Sequence, residues 1–445
     1  MLELRRTAPS DPNVCQQIGI AYTQLEDLGQ AEIFYREAVH LNPQFWAARK
    51  NLGTVLWFLD RKDEAEREFQ AVTKALPADS VPHLYLGLAA HARREFQSAK
   101  LQFEKAGALA SDNPEALPAV LESYLATHDM SFPRKMVDQL ASAESTDPEL
   151  LSRVGQLFFQ YGYPDRAAAA FEKLVVTGGG SPEVWRMLAQ AYDRQGKPER
   201  AYQSYSRGLD ANPNAEDSYL AFADFASAHA NNDYALQVVA HGLERLPKSY
   251  TLRFEQGLLW ALKGDRSQAE SSFKQASSLK PDWPLPLLAL GVAQLESGNV
   301  PQAAVLFQKA RNLDPRDARA HYLYATALSR EGGGSSSETR ADAVAALHKA
   351  IELDPNEGRS HTLLGQFQLA AGNVNAAAQE WRTALKIEPE NATALYQLGL
   401  LCRKQGKAEE AQRLLETFQR VKANKRSDEE SLVQILRVVP DKRAP

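Results

Sequence analysis

PLPLLALGVAQLESGNVPQAAVLFQKARNLDPRD, residues 284–317, is the stretch from which the rest of the chain can be read. Leu287, Leu290, Gly291 and Gln294 fall three or four apart, the spacing of one helix face. Gly298 breaks that helix. Ala303, Phe307 and Ala310 mark a second face with the same step, and Pro315 closes the unit. Gly291 and Ala303 are small, so two helices joined by a short turn can approach closely, with Phe307 filling the space between them. A lone hairpin of this kind leaves its two ends apolar and needs a neighbour on each side.

The remaining sequence supplies those neighbours. Counting from Gly291 in steps of 34, the same role falls on Gly19, Gly53, Gly87, Leu121, Gly155, Ala189, Ala223, Gly257 and Ala325, then on Gly365 and Gly399 after one shift of six. The second-helix small residue keeps phase at Ala31, Ala65, Ala99, Pro133, Ala167, Ala201, Ala235, Ala269, Ala343, Ala377 and Ala411. Four residues later comes a large apolar side chain, among them Tyr35, Phe69, Phe103, Val137, Phe171, Phe273 and Trp381. Closing prolines recur at Pro43, Pro77, Pro213, Pro247, Pro281, Pro355 and Pro389. Four registers in phase over twelve units define a helical repeat array.

The period, the Gly-to-Ala spacing of twelve and the terminal proline resemble the tetratricopeptide repeat, over residues 12–425. The resemblance implies an all-α fold: a right-handed α-solenoid of about twelve helix hairpins, with first helices lining an inner, concave wall. It implies little about function, because the motif residues are those that hold helices together. It divides the chain into a partial helix at 1–11, the array at 12–425, and a capping helix and tail at 426–445.

Composition narrows the function classes. Lys and Arg number 51 against 56 Asp and Glu, a net charge of −5, where a general nucleic-acid binder shows a basic surplus. Cys15 and Cys402 stand at opposite ends of the array, so they share no metal site, and both read as small apolar filler. No run of about 18 apolar residues offers a membrane span, and MLELRRTAPSDP has no apolar middle region for a leader. Leu2 to Pro9 reads as the last turns of a second helix and its proline. The expectation is an array that starts in mid-repeat, with native chain upstream of Met1. The compartment stays open: cytoplasmic from the absence of a leader, periplasmic or secreted if the start lies upstream.

Some units depart from the pattern. In 114–147, Pro133 replaces the small alanine. A proline inside a helix costs about 3 kcal/mol, so SFPRKMVDQL is expected to start its helix late, with Pro133 in the first turn. The triplet Gly178-Gly179-Gly180 lacks a following Lys-Ser or Lys-Thr and reads as a slack joint, not a phosphate loop. Residues 318–357 carry a six-residue insertion near 330–340, read as an exposed flexible loop at Gly332 to Ser337. Ser427-Asp428-Glu429-Glu430 reads as an N-cap and acidic first turn ahead of Leu432, Ile435, Leu436 and Val439, the capping helix.

No catalytic constellation emerges. The nine histidines are scattered, with no HExxH and no nucleophile motif. His321 and His361, at the fourth position of first helices, read as satisfied structural histidines. No cofactor and no metal site is implied. The site is therefore expected on the surface that stacking creates. Along the first helices, the positions left over from the packing pattern are Lys50, Thr54 and Trp57; Leu84, Leu88 and His91; Arg186, Gln190 and Asp193; Phe254 and Leu258; and Thr362, Gln366, Tyr396 and Arg403. The wall is expected to be apolar around Phe254, Leu258, Leu288 and Val292 and polar near 183–194. Such a surface suits a peptide or a partner helix. Lys50 and Asn51 match part of the family's two-carboxylate clamp, but Gln16, Ile20, Leu84 and Tyr85 do not. No asparagine ladder exists, since Gln17, Tyr85, Ala119, Arg153, Met187, Ala221, Glu255 and Ala289 stand where it would run.

The sequence thus reads as a non-catalytic interaction scaffold for a protein or peptide partner. Two alternatives stay open: the repeat portion of a larger enzyme or receptor, and an assembly or secretion-system helper with Trp57 and Phe58 as a stacking platform for carbohydrate.

Overall fold

The structure, a computed structural model, describes residues 10–133, 147–331 and 337–424. Residues 1–9, Val137, Gly332–Ser336 and the expected capping helix at 426–445 lie outside them. Among the described residues the chain is helical, with no strand. It divides into two compact units, Met1–Asn212 and Pro213–Pro445.

In the first unit, helices Pro12–Gln24 and Leu28–Leu41, Trp46–Phe58 and Lys62–Ala75, Ser80–Ala92 and Phe96–Ala106, Pro148–Gln160 and Pro164–Val176, and Pro182–Arg194 and Pro198–Ala211 form hairpins. Leu117–Ala126 belongs to the irregular repeat between them. In the second unit the pairs are Glu216–Ala228 with Asn232–Arg245, Tyr250–Leu262 with Arg266–Leu279, Leu285–Glu296 with Val300–Leu313, Ala318–Arg330 with Ser337–Leu353, Gly358–Ala370 with Val374–Ile387, and Ala392–Lys404 with Ala408–Asn424. Within each unit a helix packs on its hairpin partner and then on the helix that follows. First helices of successive hairpins also touch, as Trp46–Phe58 does with Ser80–Ala92 and Leu285–Glu296 with Ala318–Arg330. First helices therefore form the crowded inner layer of each unit. This is an α-solenoid built of repeated hairpins.

One pair of positions explains the hairpin. A Cβ placed on Gly291 would lie 2.5 Å from a ring carbon of Phe307; on Gly257, 2.4 Å from Phe273; on Gly53, 2.7 Å from Phe69; on Gly365, 2.4 Å from the Trp381 indole. The glycine hydrogen lets the aromatic ring lie flat against the facing backbone, and these rings are buried. A second recurring position sets the turn. Gly196, Gly264, Gly298, Gly372 and Gly406 have positive φ, and Glu26, Asp60, Arg94, His128 and Ala230 adopt the same left-handed conformation in their repeats. Both the chain reversal and the close approach therefore repeat with the period.

A third recurrence couples one hairpin to the next. The fourth residue of a first helix reaches back to the carbonyl of the closing proline six residues earlier. Arg49 Nε bonds Pro43 O at 2.7 Å, His83 Nε2 approaches Pro77 O at 2.9 Å, the Tyr219 hydroxyl donates to Pro213 O at 3.0 Å, and His321 Nε2 approaches Pro315 O at 3.0 Å. These prolines stand just past the second helix, outside any backbone ladder, and the next first helix supplies their carbonyls with a partner. His361 Nδ1 pairs instead with Glu380, at 2.7 Å. Burial pushes the His321 imidazole toward its neutral form.

One local reading changes, one repeat has a shortened second helix, and Pro133 takes the first-turn place expected of it. Two of the three glycines in the Gly178–Gly180 triplet are closely packed, while Gly178 is open. Gly179 packs on Leu174, with 2.4 Å available to a Cβ, and Gly180 on the Trp185 indole, with 2.9 Å. Gly179 N also donates to Leu174 O, at 2.9 Å. In the 80–113 repeat the second helix stops at Ala106 because Gly107 turns to φ 60, and a short helix, Ala108–Ser111, follows. Residues 131–133 are helical after Asp129, whose side chain accepts from Ser131 N at 2.9 Å, so Pro133 sits in a first turn.

Candidate functional site

In the second unit, Ala318–Arg330 and Gly358–Ala370 lie side by side in the inner layer. Tyr322 and Thr326 occupy the register positions of Thr362 and Gln366, forty residues on across the insertion. All four face a cleft of about 680 Å³, together with Ser329, Arg330, Arg359 and Leu363. The turn 388–393 closes one end, bringing Glu388, Glu390, Asn391 and Thr393 to the same space. The spacing 322, 326, 329 and 359, 362, 366 follows one face of each helix, so the helical period alone aligns these side chains.

Several of these groups are committed to the scaffold. Thr362 Oγ1 donates to Gly358 O and Thr326 Oγ1 to Tyr322 O, both at 2.9 Å. Asn391 caps its helix by accepting from Ala394 N at 3.0 Å, and donates to Glu388 Oε2 at 2.9 Å. Arg359 pairs with Glu357, and its guanidinium lies 5.3 Å from the centre of the Tyr322 ring. The groups left over for a ligand are the Gln366 amide, the Arg330 guanidinium and the Glu390 carboxylate. These make no side-chain hydrogen bond or ion pair among the described residues, whereas the Tyr322 hydroxyl is hydrogen-bonded to the Thr326 side chain. Burial raises the Tyr322 pKa above that of an ordinary phenol, so the hydroxyl stays a donor at neutral pH. The cleft can therefore donate and accept hydrogen bonds along a strip lined by two helices. Among the described residues no group of His, Cys, Asp and Glu could hold a metal, and no helix is long and apolar enough to cross a membrane.

The other expected wall positions fare differently. Phe254 and Leu258 are 6% and 3% exposed, and Leu84 is 5% exposed. Phe254 packs against Phe273 and Trp283, with ring centres 5.4 and 4.9 Å away. These three are core, not wall, and so are Leu288 and Val292. The expected apolar stretch of the groove is part of the hydrophobic core, packed on the second helix and on the turn before the next hairpin. Leu88 is half-buried. Lys50 is tied to Asp79 at 2.7 Å. Trp57 packs on Tyr85, 5.2 Å between centres, with the Lys62 ammonium 5.7 Å from its ring. Phe58 is exposed. His91 Nε2 meets Glu122 at 2.9 Å, and Glu122 accepts from the Tyr161 hydroxyl at 3.0 Å, a chain across three repeats. Arg186 lies 3.4 Å from Glu183; Gln190 and Asp193 are half-buried. Tyr396, 41% exposed, leans on Phe418, and Arg403 is exposed. Of the positions named from sequence, Thr362 and Gln366 line the cleft. Tyr322, Arg330, Arg359 and the 388–393 turn were missed, although counting back forty residues from Thr362 and Gln366 reaches Tyr322 and Thr326.

Comparison with known proteins places this geometry. Family profiles described as tetratricopeptide repeat match residues 12–45, 148–191, 182–225, 261–327, 338–381 and 392–425, and one described as TPR repeat matches 368–406. The chain is similar to cellulose synthase 1 operon protein C of Komagataeibacter xylinus, 26% identical over 224 residues, covering 48% of this chain and 16% of that protein. It is similar to cellulose synthase operon protein C of Xanthomonas axonopodis pv. citri (strain 306), 32% identical over 163 residues, 36% and 10% of the two chains. A TPR repeat-containing protein of Treponema pallidum (strain Nichols) is 31% identical over 180 residues, 37% and 21%. The chain thus spans less than a quarter of the length of these relatives. Among solved structures, yeast Tom70 aligns over 96% of this chain and 94% of its own at 15% identity, TM-score 0.44. The Cut9–Hcn1 assembly aligns over 96% and 90% at 15% identity, TM-score 0.44.

Proposed function

We infer that this chain, which belongs to the tetratricopeptide repeat family, is a non-catalytic scaffold that holds a peptide or partner helix in the inner groove of its second unit. The family is typical of protein–protein interaction, and the groove carries the finer reading. The supporting observation is the cleft between Ala318–Arg330 and Gly358–Ala370, where Gln366 and Arg330 present polar groups the fold itself does not use, beside the Tyr322 ring and hydroxyl. Leu363 and the Tyr322 ring add apolar surface for an anchor side chain.

The test selects binders from a random twelve-residue peptide library on the immobilised protein and measures their affinity. Gln366→Arg and Tyr322→Ala each weaken the selected peptide tenfold or more, about 1.4 kcal/mol, while the far-UV circular dichroism stays unchanged. Binding untouched by both changes sinks the groove reading. The two cellulose synthase operon relatives favour a second reading, a helper in a polysaccharide-producing system. Cello-oligosaccharide titration followed by tryptophan fluorescence separates the two: saturable quenching supports the second, and a flat response removes it.

A further inference from the structure

In the first unit, helix Lys62–Ala75 carries its charges unevenly. Its three glutamates are all held by arginines, leaving Asp63 in the exposed first turn as its one acid with no ion pair among the described residues. Glu64 is held by Arg36 and Arg61, Glu66 by Arg93 at 2.6 Å, and Glu68 by Arg49 at 2.7 Å. Of its three cations, Lys62 lies 3.0 Å from Asp60, while Arg67 and Lys74 are exposed and have no ion-pair partner among the described residues. They stand seven residues apart, two helical turns, on the same face as Gln70 and Ala71. That face borders a cleft of about 410 Å³ whose remaining walls are Trp46 and Ala75. Trp46 is half-buried, and the Arg49 guanidinium lies 6.0 Å from the centre of its ring. Arg49 is already neutralised by Glu68. The cleft is thus a small apolar floor of indole and alanine methyls, with an uncompensated cation at each end.

We propose that this outer cleft is a second docking site, separate from the inner groove, for an acidic peptide segment of a partner protein. Charge complementarity sets the partner chemistry. Arg67 and Lys74 lie about 10 Å apart along the helix axis at 1.5 Å per residue. Two carboxylates at that spacing neutralise both, and an apolar side chain between them covers Trp46. Sequence motifs give no sign of the site, because Arg67 and Lys74 lie on a second-helix face that reads as solvated.

The experiment uses the full chain and a ten-residue synthetic peptide with acidic residues flanking a central Leu-Leu pair. The control peptide has glutamine and asparagine at the acidic positions. Titration calorimetry gives saturable binding of the acidic peptide, weaker at 0.5 M than at 0.05 M salt because exposed charges are screened. The double variant Arg67→Glu with Lys74→Glu weakens it tenfold or more with unchanged helical circular dichroism. Trp46→Ala weakens it independently of salt. Gln366→Arg leaves it intact, which separates this site from the inner groove. Equal binding of the neutral peptide, or of the acidic peptide to the double variant, overturns the proposal. So does a single-stranded oligonucleotide that binds the same residues more tightly than the peptide.

Discussion

Replacing Gly291 by alanine sets two effects of known size against each other. Alanine is a better helix former than glycine by about 1 kcal/mol, so on propensity alone Gly291→Ala stabilises the helix Leu285–Glu296. The structure predicts the opposite. The new methyl carbon would stand 2.5, 2.8 and 3.0 Å from three ring carbons of Phe307, where carbon atoms normally rest about 3.5–4.0 Å apart. Phe307 is fully buried, and so are Ala303 and Ala310 on its own helix, so the ring has no free space to retreat into. Overpacking of this kind costs about 1–3 kcal/mol, leaving a net loss of about 1 kcal/mol after the propensity gain. Gly399 provides the internal control. Its added methyl would meet the Leu415 branch at 3.0 Å, the end of a flexible side chain, so Gly399→Ala is neutral or stabilising. Urea denaturation followed by circular dichroism, with amide exchange across 285–313 to localise the effect, compares the two variants. Adding Phe307→Leu to Gly291→Ala recovers stability relative to the sum of the single changes, by about 0.5–3 kcal/mol of coupling. Stabilisation by Gly291→Ala, or strict additivity in the double variant, refutes the packing argument.

Two further outcomes follow from other features. Ala230 is exposed and sits at φ 58 where other repeats have glycine. A left-handed L-residue costs about 1–2 kcal/mol and glycine adds about 0.5–1 kcal/mol of unfolded-chain entropy, so Ala230→Gly raises stability by roughly 0.5–1 kcal/mol in the same urea assay. Lys100 lies 2.7 Å from Asp129 and holds that carboxyl down at about 2. A depressed folded-state pKa stabilises above the unfolded value and is lost as pH falls from about 4 toward 2. Lys100→Met raises the Asp129 pKa in an NMR titration and flattens the stability loss over that window; an unchanged titration contradicts the pairing.

How much of this was legible in the sequence depends on whether a feature repeats. Gly291 with Phe307, the left-handed turn residue and the closing proline recur because every hairpin solves the same packing problem, and one solved unit decodes the rest. The inner surface does not recur in that way. Successive helix residues turn by about 100°, so the strip that faces a partner and the face that packs into the core lie only one residue apart in angle. Both tolerate Leu, Phe and Val, and hydropathy cannot separate them. Phe254 and Leu258 fall in the core, Phe254 against Phe273 and Trp283, while Gln366 falls on the strip. Of the expected wall residues, Thr362 and Gln366 line the cleft, and the apolar ones named around 254–292 are buried. The turn 388–393 escaped because it enters the cleft from a loop, which no stepping along helices can reach. The Gly178–Gly180 triplet was misjudged for a related reason. Composition registers glycine's freedom, whereas Leu174 and the Trp185 indole pack so close that a side chain has no room. In an array whose interior is fixed by repetition, the informative residues are the polar ones in first helices that the hairpin does not need. In the second unit these are Gln366 and Arg330, the groups on which the groove reading stands.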